Sequence, residues 1–323
     1  AQFVMTPELS ITGATCGDLF LKPLLLDNAL KSLNTILKET KKLNAALIVG
    51  LPLQINTQII NASAVLHKGK ILGIVPAIIC ETRYFTPAQN IRLSKVSILG
   101  QKVPLNTFIF KIFNINFAVK TGLDLNEYLP LIPKADFVFN PAANYEHLGK
   151  QEKLKNLIAI YSAVQRCTYV YASSAFGESS AEAVYSANAL IYKNGMLIKE
   201  TPRLTMQGQI LICDINEISK VKEIEICRKY DAKHPFSPSN KQELLEVLDL
   251  QALALARRLE QTKINKVVLG ISGGLDSTLA MLAAVHTFKK LNLPLKNIFA
   301  YTLPGLGTTA KTKNNAELLC KAL

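Results

Sequence analysis

The chain is short of acidic residues: 24 Asp and Glu stand against 37 Lys and Arg, for a formal net charge of +13. A concentrated basic face would suggest a nucleic-acid partner. Here the lysines are dispersed, as in Lys38, Lys41, Lys42, Lys150, Lys153 and Lys155. Such residues solvate helix faces, so no nucleic acid is expected, although anionic nucleotides would still benefit from the overall field. Cysteine is scarce and scattered: Cys16, Cys80, Cys167, Cys213, Cys227 and Cys320 include no Cys-x-x-Cys pair, so zinc and a disulfide framework are both poorly supported. No apolar run reaches the roughly 18 residues that a membrane helix needs, and no signal peptide is evident. The expectation is a cytoplasmic protein with no membrane partner. Only 19% of residues are charged and 49% are hydrophobic, which allows a large core and argues against disorder. At 323 residues the chain has room for two domains. It begins without Met in a strand-like run, Phe3 to Met5, and ends in a helix-like run, Lys313 to Leu323, so a fragment or a gene broken at both ends is expected.

The first two-thirds alternate strands and helices. Ala46 to Val49 reads as a buried strand. Ala62 to Val75 reads as a hairpin turning near His67-Lys68-Gly69, and Phe108 to Val119 as another turning at Asn114. Phe137 to Phe139 reads as a strand and Gln151 to Gln165 as a helix. Ala189 to Ile198 reads as a hairpin with Asn194-Gly195 at its tip. Gln209 to Asp214 reads as a further strand. Hairpins flanked by helices suggest sheet packed on sheet with helices outside. Arg228 to Asn240, polar with Pro235 and Pro238, is a candidate linker. Beyond it, Leu244 to Leu259 reads as an amphipathic helix. Residues 1–228, 229–240 and 241–323 are therefore taken as first domain, linker and second domain.

In the second domain, Gly270-Ile271-Ser272-Gly273-Gly274-Leu275-Asp276-Ser277 stands between a β-branched run, Lys266 to Leu269, and a helix-like run, Ser277 to Phe288. The short apolar run predicts a buried parallel strand. Gly273 and Gly274 let the backbone bend and approach a ligand. Ser272 and Ser277 offer hydroxyl donors, and the helix start offers unpaired N–H groups. This pattern suits the phosphates of ATP. Asp276 would repel them unless a cation came too, so Mg²⁺ is implied with Asp276 as its ligand. The loop lacks the Gly-Lys-Ser/Thr ending of a Walker P-loop. The plain alternative is a βα turn with Asp276 as a helix cap. Further on, Ile298 to Leu303 reads as a strand, followed by Pro304-Gly305-Leu306-Gly307-Thr308-Thr309 and a last helix. That second loop reads either as an ordinary turn or as a nucleoside-side neighbour of the first.

The Ser-Gly-Gly-x-Asp-Ser string resembles the loop of ATP pyrophosphatases. Together with Pro304 to Thr309 and His234-Pro235-Phe236, it resembles glutamine-dependent NAD synthetase. The first domain resembles that family's nitrilase-type glutaminase, through Pro7-Glu8-Leu9-Ser10-Ile11-Thr12-Gly13, Cys16 to Phe20, Tyr169 to Ala172 and Phe176 to Ser179. The resemblance is collinear over nearly the whole chain. It implies an α/β fold: a four-layer α-β-β-α sandwich, then the first part of a Rossmann-like parallel domain. It also implies adenylation of nicotinic acid adenine dinucleotide with ATP and Mg²⁺, displacement of AMP by ammonia, and assembly as a homo-oligomer.

The resemblance further implies a glutaminase made of Glu, Lys and Cys, in which Cys attacks the amide, Glu moves the proton and Lys stabilises the oxyanion. Glu8 is present. The lysine position falls at Ala77 after Val75-Pro76, and about seven residues fewer than the family pattern separate Ala77 from Arg83-Tyr84-Phe85. The nucleophile position falls at Gly122 in Lys120-Thr121-Gly122-Leu123-Asp124. Glutamine is thus not expected to be used. Cys80 lies after a different strand from the nucleophile position. Cys167 reads as a core residue. Asn144 and His147 fall where the family contacts glutamine, with Asn144 at a position usually serine. The alternative function is a non-catalytic nitrilase-like scaffold or oligomerisation subunit.

Overall fold

In the computed structural model, residues 1–105, 109–122, 135–214, 237–302 and 310–323 are described, residues 310–313 by backbone alone. The chain divides into two compact units. One comprises Ala1–Tyr145, Gly149–Glu178 and Tyr185–Asp231; the other comprises Glu146–Leu148, Ser179–Val184 and Ala232–Leu323. Most of the linker expected over 229–240 lies outside the described residues, as do Leu123-Asp124, Cys227, His234-Pro235-Phe236 and the Pro304 to Thr309 loop.

The first unit opens with strand β1 (Phe3–Met5), helix α1 (Pro23–Glu39) and strands β2 (Ala46–Ile55), β3 (Gln58–His67) and β4 (Lys70–Pro76). A small hairpin, β5 (Lys95–Ile98) with β6 (Gln101–Pro104), follows. Next come β7 (Ile109–Ile112), β8 (Ile115–Val119), β9 (Phe137–Ala142), α2 (Lys150–Gln165), β10 (Thr168–Ser173), β11 (Ala189–Lys193) and β12 (Met196–Glu200). Among the described residues, one sheet has the order β1-β2-β3-β4 and the other β12-β11-β10-β9-β8-β7. β1 pairs parallel with β2, and β9 pairs parallel with both β8 and β10; the remaining pairs in these two sheets are antiparallel.

Side-chain alternation along the strands creates the layers. On one face of the first sheet, Ala46, Ile48, Val65 and Val75 meet Phe110, Phe117, Val119 and Phe139 from the second. Phe3 packs into this seam with ring centroids 5.2 Å from both Phe117 and Phe139. On the opposite face, Val49, Leu51, Leu53, Ile60 and Ala62 pack with Leu33 and Leu37 of α1. The outer face of the second sheet carries Val138, Tyr169, Tyr171 and Leu190 against Leu154, Ile158 and Tyr161 of α2. The four-layer α-β-β-α arrangement is the one expected. Cys167 is buried in this last cluster.

Local chemistry sets the turns. Phe113 and Asn114, then Asn194 and Gly195, have positive φ (54° and 62°; 51° and 88°), the backbone that a two-residue hairpin turn needs. Two expectations are corrected here. Gln209 to Asp214 forms no strand: Ile210 is 86% exposed and no ladder covers it. Alternating isoleucines suit a strand, but a strand also needs a paired edge. Lys150 does not solvate a helix face; it is buried and its Nζ donates to Asn144 O at 2.9 Å.

The second unit contains α3 (Lys241–Thr262), β13 (Val267–Gly270), α4 (Leu275–Lys290), β14 (Ile298–Tyr301) and α5 (Ala310–Ala322). Asn240 Oδ1 caps α3 by accepting Glu243 N at 2.9 Å, while the Glu243 carboxylate turns back to Ser239 N and Oγ. α3 lies on α4 through buried Ala252, Leu253, Ala256, Ala284 and Phe288, with Thr287 Oγ1 donating to Ala252 O. Asp249 Oδ1 joins the same helices by accepting from His286 Nε2 (2.7 Å) and Lys290 Nζ (2.8 Å). β13 and β14 pair in parallel, as expected. The expected two-sided burial of Lys266 to Leu269 does not occur, since Val268 is 70% exposed. Leu269, Ile298 and Ala300 face Met281, Val285 and Ala316, whereas Val268 points the other way. Among the described residues, no helix is long and apolar enough to cross a membrane.

One buried hydrogen bond ties the second sheet together. Tyr169 Oη donates to Asn140 Oδ1 at 2.9 Å, and both residues are fully enclosed. Tyr169→Phe should leave that oxygen without a donor at a cost of about 1–3 kcal/mol. Urea unfolding should show a lower midpoint with unchanged slope; an unchanged midpoint would remove this bond from the stability of the sheet.

Candidate functional site

Two regions hold the candidate residues, one in each unit. In the first unit the chain leaves β1 and runs along β2. Gly50 makes this possible: a Cβ there would lie 2.5 Å from both Leu9 N and Pro7 O. The carbonyl of Gly50 then accepts Ile11 N (3.1 Å) and Ser10 Oγ (3.3 Å), and Ile48 O accepts Thr6 N (3.0 Å), so the chain is held on both sides of Glu8. Glu8 N reaches across to Ala142 O, at the end of β9. Glu178 secures the continuation, since its carboxylate accepts from Ala14 N, Thr15 N and Thr15 Oγ1.

The end of β8 is held from three directions. Asn140 Nδ2 donates to Lys120 O (2.6 Å) and Gly122 O (2.9 Å). Gly122 N donates to Pro141 O, and Thr121 Oγ1 reaches Ser63 Oγ and Val75 O in the facing sheet. This brings Gly122 to Glu8: a Cβ on Gly122 would sit 3.6 and 3.7 Å from the two carboxylate oxygens. Ala77 is buried and bound through Ala77 N to Asn61 O (2.8 Å), while the Asn61 side-chain amide donates to Glu8 Oε1. Glu8, Ala77 and Gly122 are therefore linked through one small region. Asn61, Gly50, Thr121 and Asn140 were not singled out from sequence. Asn61 did leave a trace, as a polar residue within the apolar β-run Ile59 to Val65.

Burial pushes the Glu8 carboxyl up to about 7, against the lowering effect of hydrogen bonds from Asn61 and the Ala143 backbone. Cys80 lies within reach of this charge: burial first, then Glu8 and Glu81, raise its thiol to about 11. Its Sγ contacts Phe85 O at 3.6 Å, so the group is a neutral thiol turned to a carbonyl. His147 is exposed, with Nδ1 on Leu148 O, and Asn144 N donates to Ser173 Oγ.

In the second unit the glycine loop joins β13 to α4. Ile271 is buried, and its N–H donates to Tyr301 O of β14. Gly273 has φ +80°, a conformation open to glycine. Ser272 Oγ and Ser277 Oγ lie 3.2 Å apart across the bend, and Gly274 N donates to Ser272 Oγ. Gly274, not Asp276, occupies the N-cap, with no side-chain capping bond. The first helical bond runs from Thr278 N to Gly274 O (3.1 Å), so the N–H groups of Leu275, Asp276 and Ser277 lie ahead of the ladder. No heavy atom would lie within 4 Å of a Cβ on Gly270, and Leu275 is 88% exposed. Asp276 is exposed in the first turn. The result is an open cradle of N–H and O–H donors at the positive end of a helix, suited to phosphate.

Residues 247–323 match the NAD synthase family. The glutamine-dependent NAD(+) synthetase of Mycobacterium bovis is 28% identical over an alignment covering all of this chain and 55% of that protein. The chain is similar over its whole length to part of the glutamine-dependent NAD synthetases. That of Aquifex aeolicus is 22% identical over the whole chain and 58% of its own length. Among solved structures, the glutamine-dependent NAD(+) synthetase of Cytophaga hutchinsonii aligns over the whole chain and 57% of its own, with TM-score 0.74 and 19% identity. The synthetase of Acinetobacter baumannii in complex with ADP gives TM-score 0.70 at 19% identity, covering 98% of this chain and 56% of its own. These structures share the fold. The chain spans little more than half the length of the synthetases it matches.

The Glu8 carboxyl has a pH signature. Folding raises its pKa from 4.5 to about 7, so the native state holds the proton more tightly than the unfolded chain. Its contribution to stability is full below pH 4.5 and declines as pH rises through about 7. Glu8→Gln, in sodium buffers, should match the parent near pH 4.5 and exceed it at pH 8. The gain should be on the order of 1–3 kcal/mol, below the full linkage value because the residue keeps some exposure. Thermal melts over this range check it; a difference independent of pH would show that Glu8 is not shifted.

Proposed function

We propose that this chain serves NAD biosynthesis as part of an ATP-dependent ligase that amidates nicotinic acid adenine dinucleotide. The observation that carries the reading is the open donor cradle at Ser272, Gly273, Gly274 and Ser277, inside the segment that matches the NAD synthase family. In this reading the substrate carboxylate attacks the α-phosphate of ATP, forming an acyl-adenylate and releasing pyrophosphate. Ammonia then adds to the activated carbonyl and expels AMP, leaving the amide. The loop N–H groups and the two serines hold the phosphates and stabilise charge gathering on the departing pyrophosphate. Gly270, Ile271 and Leu275 shape the bend around them.

Mg²⁺ would arrive with the phosphates, and Asp276 is the carboxylate beside them. Among the described residues no group of three His, Cys, Asp or Glu could hold a metal unaided. Mg²⁺ commonly rests on one or two carboxylates plus phosphate oxygens, and Asp276 is an exposed carboxylate beside the cradle. Bound there, the metal would neutralise phosphate charge.

The nitrilase-like unit, on this proposal, does not hydrolyse glutamine. Ala77 and Gly122 stand where the family has its lysine and its cysteine, and Glu8 faces a glycine. Free ammonia would supply the nitrogen. The second reading, a scaffold that holds a homo-oligomer together, is favoured by the same two substitutions, because they leave the fold intact while removing reactive groups. Measuring the solution mass of the full chain bears on it.

Purified protein given ATP, Mg²⁺, nicotinic acid adenine dinucleotide and ammonium should form NAD, AMP and pyrophosphate. Asp276→Asn should slow this by about 100-fold or more. No product at any ammonium concentration would overturn ligase activity for the chain and leave the scaffold. With glutamine instead, glutamate release should not exceed that of heat-killed protein. Release abolished by Cys80→Ser would reverse the glutaminase assignment in favour of that thiol.

A further inference from the structure

The surroundings of Glu8 are unusually one-sided. Among the described residues, two donors serve its carboxyl: the Asn61 side-chain amide and the Ala143 backbone. Cys80 is the titratable neighbour that senses its charge, and no Lys, Arg or His among the described residues contributes to it. The described atoms nearest the space beside Gly122 are acceptors. Asn61 is 97% buried, at 3% exposure, and its Oδ1 has no hydrogen-bond partner although its Nδ2 is bound to Glu8. Ile79 O lies 3.5 Å from the point a Gly122 Cβ would occupy, and the Glu8 oxygens lie 3.6 and 3.7 Å from that point. Among the described residues, a glycine thus leaves a side chain's space open beside a carboxylate and a main-chain carbonyl, and that carboxylate is bound by an amide with an unused oxygen.

An ionised carboxylate in such a place is costly without a positive partner. An anion would be repelled, and a neutral apolar group would leave the orphan acceptor unsatisfied. A divalent metal is poorly served, because such ions need a full shell of oxygen ligands and, among the described residues, no group of three His, Cys, Asp or Glu could hold one. A small monovalent cation carrying its own hydrogen-bond donors answers both needs. It neutralises Glu8, and its N–H groups would serve the acceptors, the Ile79 carbonyl and Asn61 Oδ1 among them. We propose that the space between Glu8, Asn61 and Gly122 is a binding site for an ammonium ion. Potassium shares the charge and approximate size but offers no directed donors, so the two are separated by experiment. The site does not depend on the ligase reading, because it is built within the first unit and needs neither ATP nor dinucleotide.

The test uses the full chain with carboxyl-¹³C glutamate, without nucleotide, in sodium, potassium or ammonium chloride at equal ionic strength. The Glu8 resonance is identified by its loss in Glu8→Gln. In ammonium its titration midpoint should fall by about one to three pH units relative to sodium, as for a carboxylate given an adjacent cation. A midpoint that ammonium leaves in place overturns the proposal, and so does an equal fall in potassium. Thermal melts at pH 8 add a second readout. Ammonium should raise the melting temperature of the parent but not of Glu8→Gln; an equal rise in both would place the ion elsewhere and overturn the assignment. Failure of NAD formation together with a shifted midpoint would reject the ligase reading and leave this site standing.

Discussion

The contact on which the first unit depends is the phenylalanine seam between its two sheets. Phe3, Phe110, Phe117, Phe137 and Phe139 come from four strands and meet in one layer, with Phe110 and Phe117 centroids 5.4 Å apart and Phe137 and Phe139 5.9 Å apart. Aromatic rings bury large areas and interlock in offset or edge-on pairs, so they fix both the separation and the register of the sheets. Register decides everything at the strand ends. Because β1, β8 and β9 are held at a set offset, Glu8, Gly122 and Ala142 arrive at one place. A slip of one residue would turn each inward side chain outward.

The two candidate regions have opposite electrical character. The glycine loop presents donors: backbone N–H groups ahead of a helical ladder and two serine hydroxyls. The Glu8 region sets a half-buried carboxyl beside the Ile79 carbonyl and the Asn61 amide oxygen. One attracts anionic phosphate from an open face; the other holds a carboxyl that burial pushes up to about 7. The positive net charge of the chain bears mainly on the exposed loop, since solvent and protein screen it from enclosed groups. Each region is therefore set by its immediate neighbours.

Much of this was legible in the residues. The Asn194-Gly195 hairpin could be read directly, because such turns are specified by two adjacent residues. The glycine loop was visible because its chemistry is contiguous. The Glu8 region was less so. Glu8, Ala77 and Gly122 could be aligned with a family pattern, but Asn61, Asn140 and Gly50 act across the fold, and nothing in their local sequence says which residue each will touch. Cys80 shows the same limit: it follows a different strand from Gly122, yet it senses the charge of Glu8. Gln209 to Asp214 failed in the other direction, because alternating apolar residues indicate a strand only when a partner edge is present. The one-sided burial of β13 arises likewise from what packs on it, which its own four residues cannot state.

Gly122 has φ +77°, in the region where any other L-residue carries strain. A side chain at this position would have to be worth more to the protein than the roughly 1–3 kcal/mol of backbone strain it brings. The position therefore works as a one-way gate: glycine relaxes the chain end of β8, and any other residue tightens it again.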